Sequence, residues 1–138
     1  MGLLIGIGLV VSLGVGHHFA LIGLRQITAQ ARERPHRSII SVFVGLVAIH
    51  LTEILLFAGA YHVLLTWNSV GTLAGHDSGW QDLVYFSGIN FTTLGYTRLE
   101  AQGPIRMVSM MQSLGGFMVL TWSATFIYTV WKRAQDGF

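Results

Sequence analysis

The stretch Trp80-Gln81-Asp82-Leu83-Val84-Tyr85-Phe86-Ser87-Gly88-Ile89-Asn90-Phe91, running straight into Thr92-Thr93-Leu94-Gly95-Tyr96-Thr97, decides the fold. Its leading part, 80–91, is too apolar and aromatic to lie free in water. As a helix rising about 1.5 Å per residue it is also too short to cross a hydrocarbon core of roughly 30 Å. A segment of this kind beside membrane helices reads as re-entrant. Ser78 or Gly79 is placed to cap its N-terminus, and Asp82 in the first turn suits the positive end of the helix dipole.

The residues that follow break the helix. Non-helical backbone at membrane depth is tolerated only where protein or a water-filled cavity surrounds it. An extended strand lining a pore meets that condition, because its carbonyls replace an ion's hydration shell. Gly95 opens backbone conformations closed to other residues. The short helix then aims its negative C-terminal end at the pore axis, which favours cations.

Three long apolar runs surround this segment. Leu3 to Leu24 carries no formal charge, Ile39 to Trp67 carries only Glu53, and Pro104 to Trp131 carries only Arg106 at its start. Each is long enough to span. The first lacks a basic leader and exceeds the roughly 7–15-residue apolar core of a secretory signal, so it reads as a retained helix. Composition agrees: 52% of the 138 residues are hydrophobic and 10% charged, against about 25% charged in soluble domains. A soluble enzyme is excluded on that ground, and no enzymatic activity is expected. The absence of cysteine removes disulfide frameworks, zinc–thiolate sites and thiol nucleophiles.

Six of the eight basic residues (Arg25, Arg32, Arg34, Arg37, Lys132 and Arg133) flank one side of these spans. The positive-inside rule assigns that side to the cytoplasm. The N-terminus is then outside and the C-terminus cytoplasmic, with a bacterial inner (plasma) membrane as the expected location. The arginine-rich connection is short and bounded by membrane helices, so it anchors topology, and no nucleic-acid partner is expected.

With this context in place, Thr92-Thr93-Leu94-Gly95-Tyr96 resembles the selectivity-filter signature Thr-Thr-Val-Gly-Tyr-Gly of the tetrameric potassium channel superfamily. The resemblance covers about 90 residues, from the second run to the C-terminus, and implies a two-helix pore unit with a re-entrant pore helix and a selectivity-filter loop. With the first apolar run the chain reads as an all-α integral membrane fold of three transmembrane helices. Residues 1–38 form an extra N-terminal helix and basic loop. The pore domain, 39–138, divides into an outer helix (39–67), turret (68–78), pore helix (79–91), filter (92–97) and inner helix (104–131). By the same resemblance Thr93, Leu94, Gly95, Tyr96 and Thr97 bind the permeant ion, and Thr92, Tyr85 and Phe86 support the filter. Gly115 and Gly116 are the gating hinge, the alternative being close helix packing. A homotetramer is implied, because one chain supplies one filter strand. The permeant cation, potassium first, is the only ion expected, and no cofactor or other metal is called for. Thr97 and Arg98 stand where the family has glycine and aspartate. Arg98 and Glu100 therefore mark the outer mouth, where a ring of arginines repels cations and Glu100 is in reach to pair with Arg98.

Other residues admit more than one reading. Glu53, in mid-span with His50 one turn earlier on the same face, is a candidate intramembrane proton site. The alternative is a carboxyl hydrogen-bonded to a neighbouring helix. His17, His18 and His62 read as packing or interfacial residues toward span ends; the competing reading is haem or metal ligation. Gln112, Ser109 and Ser113 are polar residues of the third run, and some of them are expected to face a wet cavity below the filter. Gly2-x-x-x-Gly6 is a helix-packing motif, so the first helix braces the pore or binds another membrane subunit. The main functional alternative is a non-conducting accessory subunit that keeps the channel fold. A haem- or metal-binding redox subunit is third.

Overall fold

In the computed structural model, residues 1–29, 33–75, 77 and 79–136 are described. Four helices and two short strands follow in the order α1 (Gly2–Ile27), α2 (Pro35–Leu65), β1 (Thr72–Ala74), α3 (Trp80–Phe91), β2 (Glu100–Gln102) and α4 (Ile105–Gln135). The three long helices coincide with the three apolar runs and are apolar enough to cross a membrane. At 26, 31 and 31 residues they extend roughly 39–46 Å, beyond the hydrocarbon core. α2 begins four residues before its apolar run because Pro35 occupies the first turn, where its fixed φ suits the helix and its missing N–H costs nothing. The basic connection and Ser78 are only partly covered: Arg32 and Ser78 lie outside the described residues, and with Ser78 its reading as a cap. Gly79 is the N-cap of α3, without a side-chain capping bond.

α4 packs against α1, α2 and α3. The main apolar cluster joins Phe57, Tyr61, Leu83, Phe86, Phe91, Val108 and Val119 near α3. A second, of Leu21, Leu24, Val42, Leu46 and Val130, closes the opposite end of the bundle. Large side chains such as Phe19, Phe43 and Leu56 point outward, as lipid-facing positions require and water-facing ones do not. The chain is an integral membrane protein.

One feature absent from the expected all-helical fold is an antiparallel ribbon pairing Leu73 with Ala101. Gly71 and Gly103, at φ +120° and +83°, let its arms turn, and the Ile105 amide donates to the Val70 carbonyl at 2.8 Å to seal its base. The ribbon ties the start of the loop to its end, so α3 and the strand after it project as one closed insertion between α2 and α4.

A buried polar chain fixes α3 in place. The Tyr61 hydroxyl donates to Gln112 Oε1 at 2.7 Å, and Gln112 Nε2 donates to the Ser87 hydroxyl at 2.8 Å and the Ser87 carbonyl at 3.1 Å. The Ser87 hydroxyl in turn donates to the Ile54 carbonyl at 2.7 Å. Gln112 is fully buried. It therefore joins α2, α3 and α4 and does not face a wet cavity, as the sequence reading had it. Gln112→Leu should destabilise the fold by about 2 kcal/mol, since it orphans partners at both ends of the amide; thermal unfolding in detergent reads this.

Candidate functional site

The pore-loop candidate grows out of the end of α3. Its last turn is closed by the Thr92 amide and hydroxyl, both donating to the Gly88 carbonyl (3.0 and 2.9 Å), and by the Thr93 amide donating to Asn90 (3.0 Å). The Gly95 amide reaches back to the Ile89 carbonyl at 3.3 Å. Thr92 thus belongs to the helix end and positions the residues after it. Thr93 has φ +59° and Gly95 φ +68°. Positive φ costs a non-glycine residue about 1–2 kcal/mol, and for a β-branched one it marks an imposed conformation. The strand beyond α3 is accordingly not simply extended. Its backbone turns left-handed at Thr93 and again at Gly95.

The side chains of this strand find no cover in a single chain. Leu94 is 68% and Tyr96 85% exposed. Tyr85, Tyr96, Thr97 and Arg98 share an open cleft of about 530 Å³ with Asp82, and Phe86 and Gly95 border a neighbouring groove with Arg106. The two aromatics divide: Tyr85 is exposed beside Tyr96, whereas Phe86 is buried and meets Tyr61 edge-on at 5.1 Å. The Thr97 hydroxyl accepts a hydrogen bond from the Leu99 amide at 3.0 Å, turning the chain toward β2. Arg98 and Glu100 are both exposed, and no ion pair joins them among the described residues.

Gly115 and Gly116 lie within an unbroken α4 at its closest contacts. A Cβ on Gly116 would sit 2.1 Å from the Phe91 carbonyl oxygen, and one on Gly115 would sit 3.0 Å from the Val10 methyls. Gly2 and Gly6 likewise face α4, against the Pro104 carbonyl and Met111. The packing motif of the first helix is used within the chain.

Glu53 is buried and bridges two histidines. Its Oε1 meets His17 Nδ1 at 2.8 Å and its Oε2 meets His50 Nδ1 at 2.9 Å. His17 Nε2 lies 3.2 Å from the Ser123 hydroxyl of α4. The carboxyl is therefore paired with a neighbouring helix. His17 is not a span-end residue: it is 1% exposed in the bundle interior. Helix arithmetic held the signal. Counted from the ribbon end, His17 and Glu53 lie roughly 22 and 18 Å deep on their helices. His18 and His62 do pack against aromatics, Trp122 and Trp80. The His17 and His50 rings stack face to face with centroids 5.5 Å apart and 13° between planes. Axial haem ligation needs ring nitrogens pointing at each other across the macrocycle, and this stack does not provide that.

A short helix and the turned segment after it are inserted between two long apolar helices. The chain belongs to the Ion channel family: the family model so described matches residues 49–133, more than half of the sequence. No curated protein and no solved structure matches it. The match runs from the middle of α2 almost to the end of α4, and α1 lies outside it. Membership makes the chain a passive ion channel, a class with no enzymatic chemistry.

Proposed function

We propose that the chain is one subunit of a potassium-conducting homotetramer, in which α3 is the re-entrant pore helix and Thr93 to Thr97 form the selectivity filter. The observation that carries this reading is the alternation of positive φ at Thr93 and Gly95 directly after α3. In a filter, backbone that alternates in hand turns its carbonyls to one side, where they replace water around a dehydrated ion, and the two positive φ values support that reading. The exposed Leu94 and Tyr96 are supporting: four strands around an axis bury what one leaves open. Tyr85 and Phe86 brace the filter from α3. α4 lines the cavity beneath and pivots about Gly115 and Gly116, where α1 and Phe91 hold it. The basic end of the bundle faces the cytoplasm of a bacterial inner membrane, and Arg98 and Glu100 ring the outer mouth.

Thr97 favours a second reading, a non-conducting accessory subunit, because its hydroxyl accepts from the Leu99 amide and ties the chain toward β2 at the position where the family pattern has a glycine. The double variant Thr97→Gly, Arg98→Asp separates the two. A working filter should gain severalfold in potassium-over-sodium selectivity, measured in liposomes with a chain whose detergent mass is that of a tetramer. Unchanged selectivity, or a stable monomer, contradicts the filter assignment.

A further inference from the structure

We propose that His17, His50 and Glu53 form a binding site for a divalent transition metal of the zinc type, separate from the pore loop. The donor set, two imidazoles and a carboxylate, is one that zinc accepts. One ligand atom from each lies within 4.8 Å of the others. Around an ion with bonds of about 2.0–2.1 Å, tetrahedral ligands stand roughly 3.3–3.4 Å apart. The Nδ1–oxygen separations of 2.8 and 2.9 Å, one to each carboxylate oxygen, are shorter than that and the 4.8 Å limit on the set is longer, so side-chain readjustment of the trio brings one atom from each residue to the spacing an ion needs.

The surroundings suit the exchange. When Nδ1 of His17 coordinates, its proton moves to Nε2, and the Ser123 hydroxyl at 3.2 Å is there to accept it. A hydroxyl can donate to the bare nitrogen or accept from the protonated one, so Ser123 orients the ring in both states, as outer partners of metal-bound histidines do. A cavity of about 320 Å³ between α1 and α2 reaches His17 and Glu53 past Gly16, Ala20 and Ala48. It is lined mainly by apolar side chains, Leu13, Ile49 and Leu56 among them, and leaves space beside the trio for its side chains to readjust around an ion. The ligands come from α1 and α2 and the outer partner from α4, so the ion would clamp three helices. His50 also packs on Phe91 at 5.6 Å, at the base of the pore loop.

The test uses the full chain in detergent, stripped with chelator and titrated with Co²⁺ alone, then Zn²⁺. One Co²⁺ per chain should bind with the intense visible bands of a four-coordinate site, and Zn²⁺ should abolish them. His17→Ala and Glu53→Gln should each weaken binding about 100-fold, and Ser123→Ala about 10-fold, while His18→Ala and His62→Ala leave it unchanged. Glu53→Gln is the decisive variant because it keeps the fold: the amide oxygen accepts from one ring, and its nitrogen donates to the other in the opposite tautomer. Only the pale spectrum of the aqueous ion with wild type, or undiminished binding by Glu53→Gln, overturns the proposal.

Discussion

Gly116→Ala should destabilise the protein by about 3 kcal/mol, the upper part of the range for forced overpacking. The added Cβ would lie 2.1 Å from the Phe91 carbonyl oxygen. That atom belongs to the last residue of α3, which is pinned by the Gln112–Ser87 bonds and cannot swing aside like a side-chain tip. Gly115→Ala meets only the methyls of Val10 and Leu13 at 3.0–3.2 Å and should cost less. Gly8→Ala meets nothing within 4 Å and should be neutral or slightly stabilising, since alanine is the better helix former. Thermal unfolding of the three variants in detergent checks the order. A Gly116→Ala protein as stable as wild type would mean that α4 does not approach α3 this closely, and that the glycine pair acts through flexibility alone.

Glu53→Leu is expected to be nearly as damaging, again by about 3 kcal/mol. It removes the shared acceptor of two imidazoles, and His17 is buried beyond the reach of water. The loss comes from orphaned groups more than from the bonds themselves. Interhelical hydrogen bonds in membranes average only about 0.6 kcal/mol, because the unfolded chain also finds partners there. Glu53→Gln should therefore recover most of the stability, since neutral imidazole can switch tautomer to suit an amide. Equal melting of the Leu and Gln variants would show that the trio contributes no structure. The same pair separates a structural role from proton transfer: glutamine keeps the bonds but cannot take up a proton.

The bundle was largely legible in the sequence because hydropathy sets the long helices directly. α3, which spans 80–91, begins one residue later than the 79–91 segment inferred from its aromatic content. α2 and α4 run further at their basic ends than their apolar runs suggest, since Pro35 starts one and helix continues through Lys132 and Arg133 in the other. The ribbon was not legible. Thr72-Leu73-Ala74 and Glu100-Ala101-Gln102 are three-residue strands without a useful alternation, and closure of the intervening loop pairs them. Gln112 and His17 were misread for a common reason: a polar residue in a membrane helix signals wet surroundings or a buried partner equally well. The partners here, Ser87 and Glu53, lie 25 and 36 residues away. Matching depths across antiparallel helices would have paired His17 with Glu53. Thr93 carried no comparable signal, because positive φ at a β-branched residue is the reverse of its preference.

The proposed potassium conduction through the segment after α3 is tested most directly by the reversal potential of the purified protein in liposomes under opposed potassium and sodium gradients. A reversal close to the potassium equilibrium potential is predicted, and Gly95→Ala should abolish the current while the protein still folds, since the cost of its φ of +68° is only about 1–2 kcal/mol. A reversal near zero would contradict potassium selectivity and turn attention to Thr97 and Arg98. No current at all from a chain shown to be tetrameric would contradict the conducting pore itself.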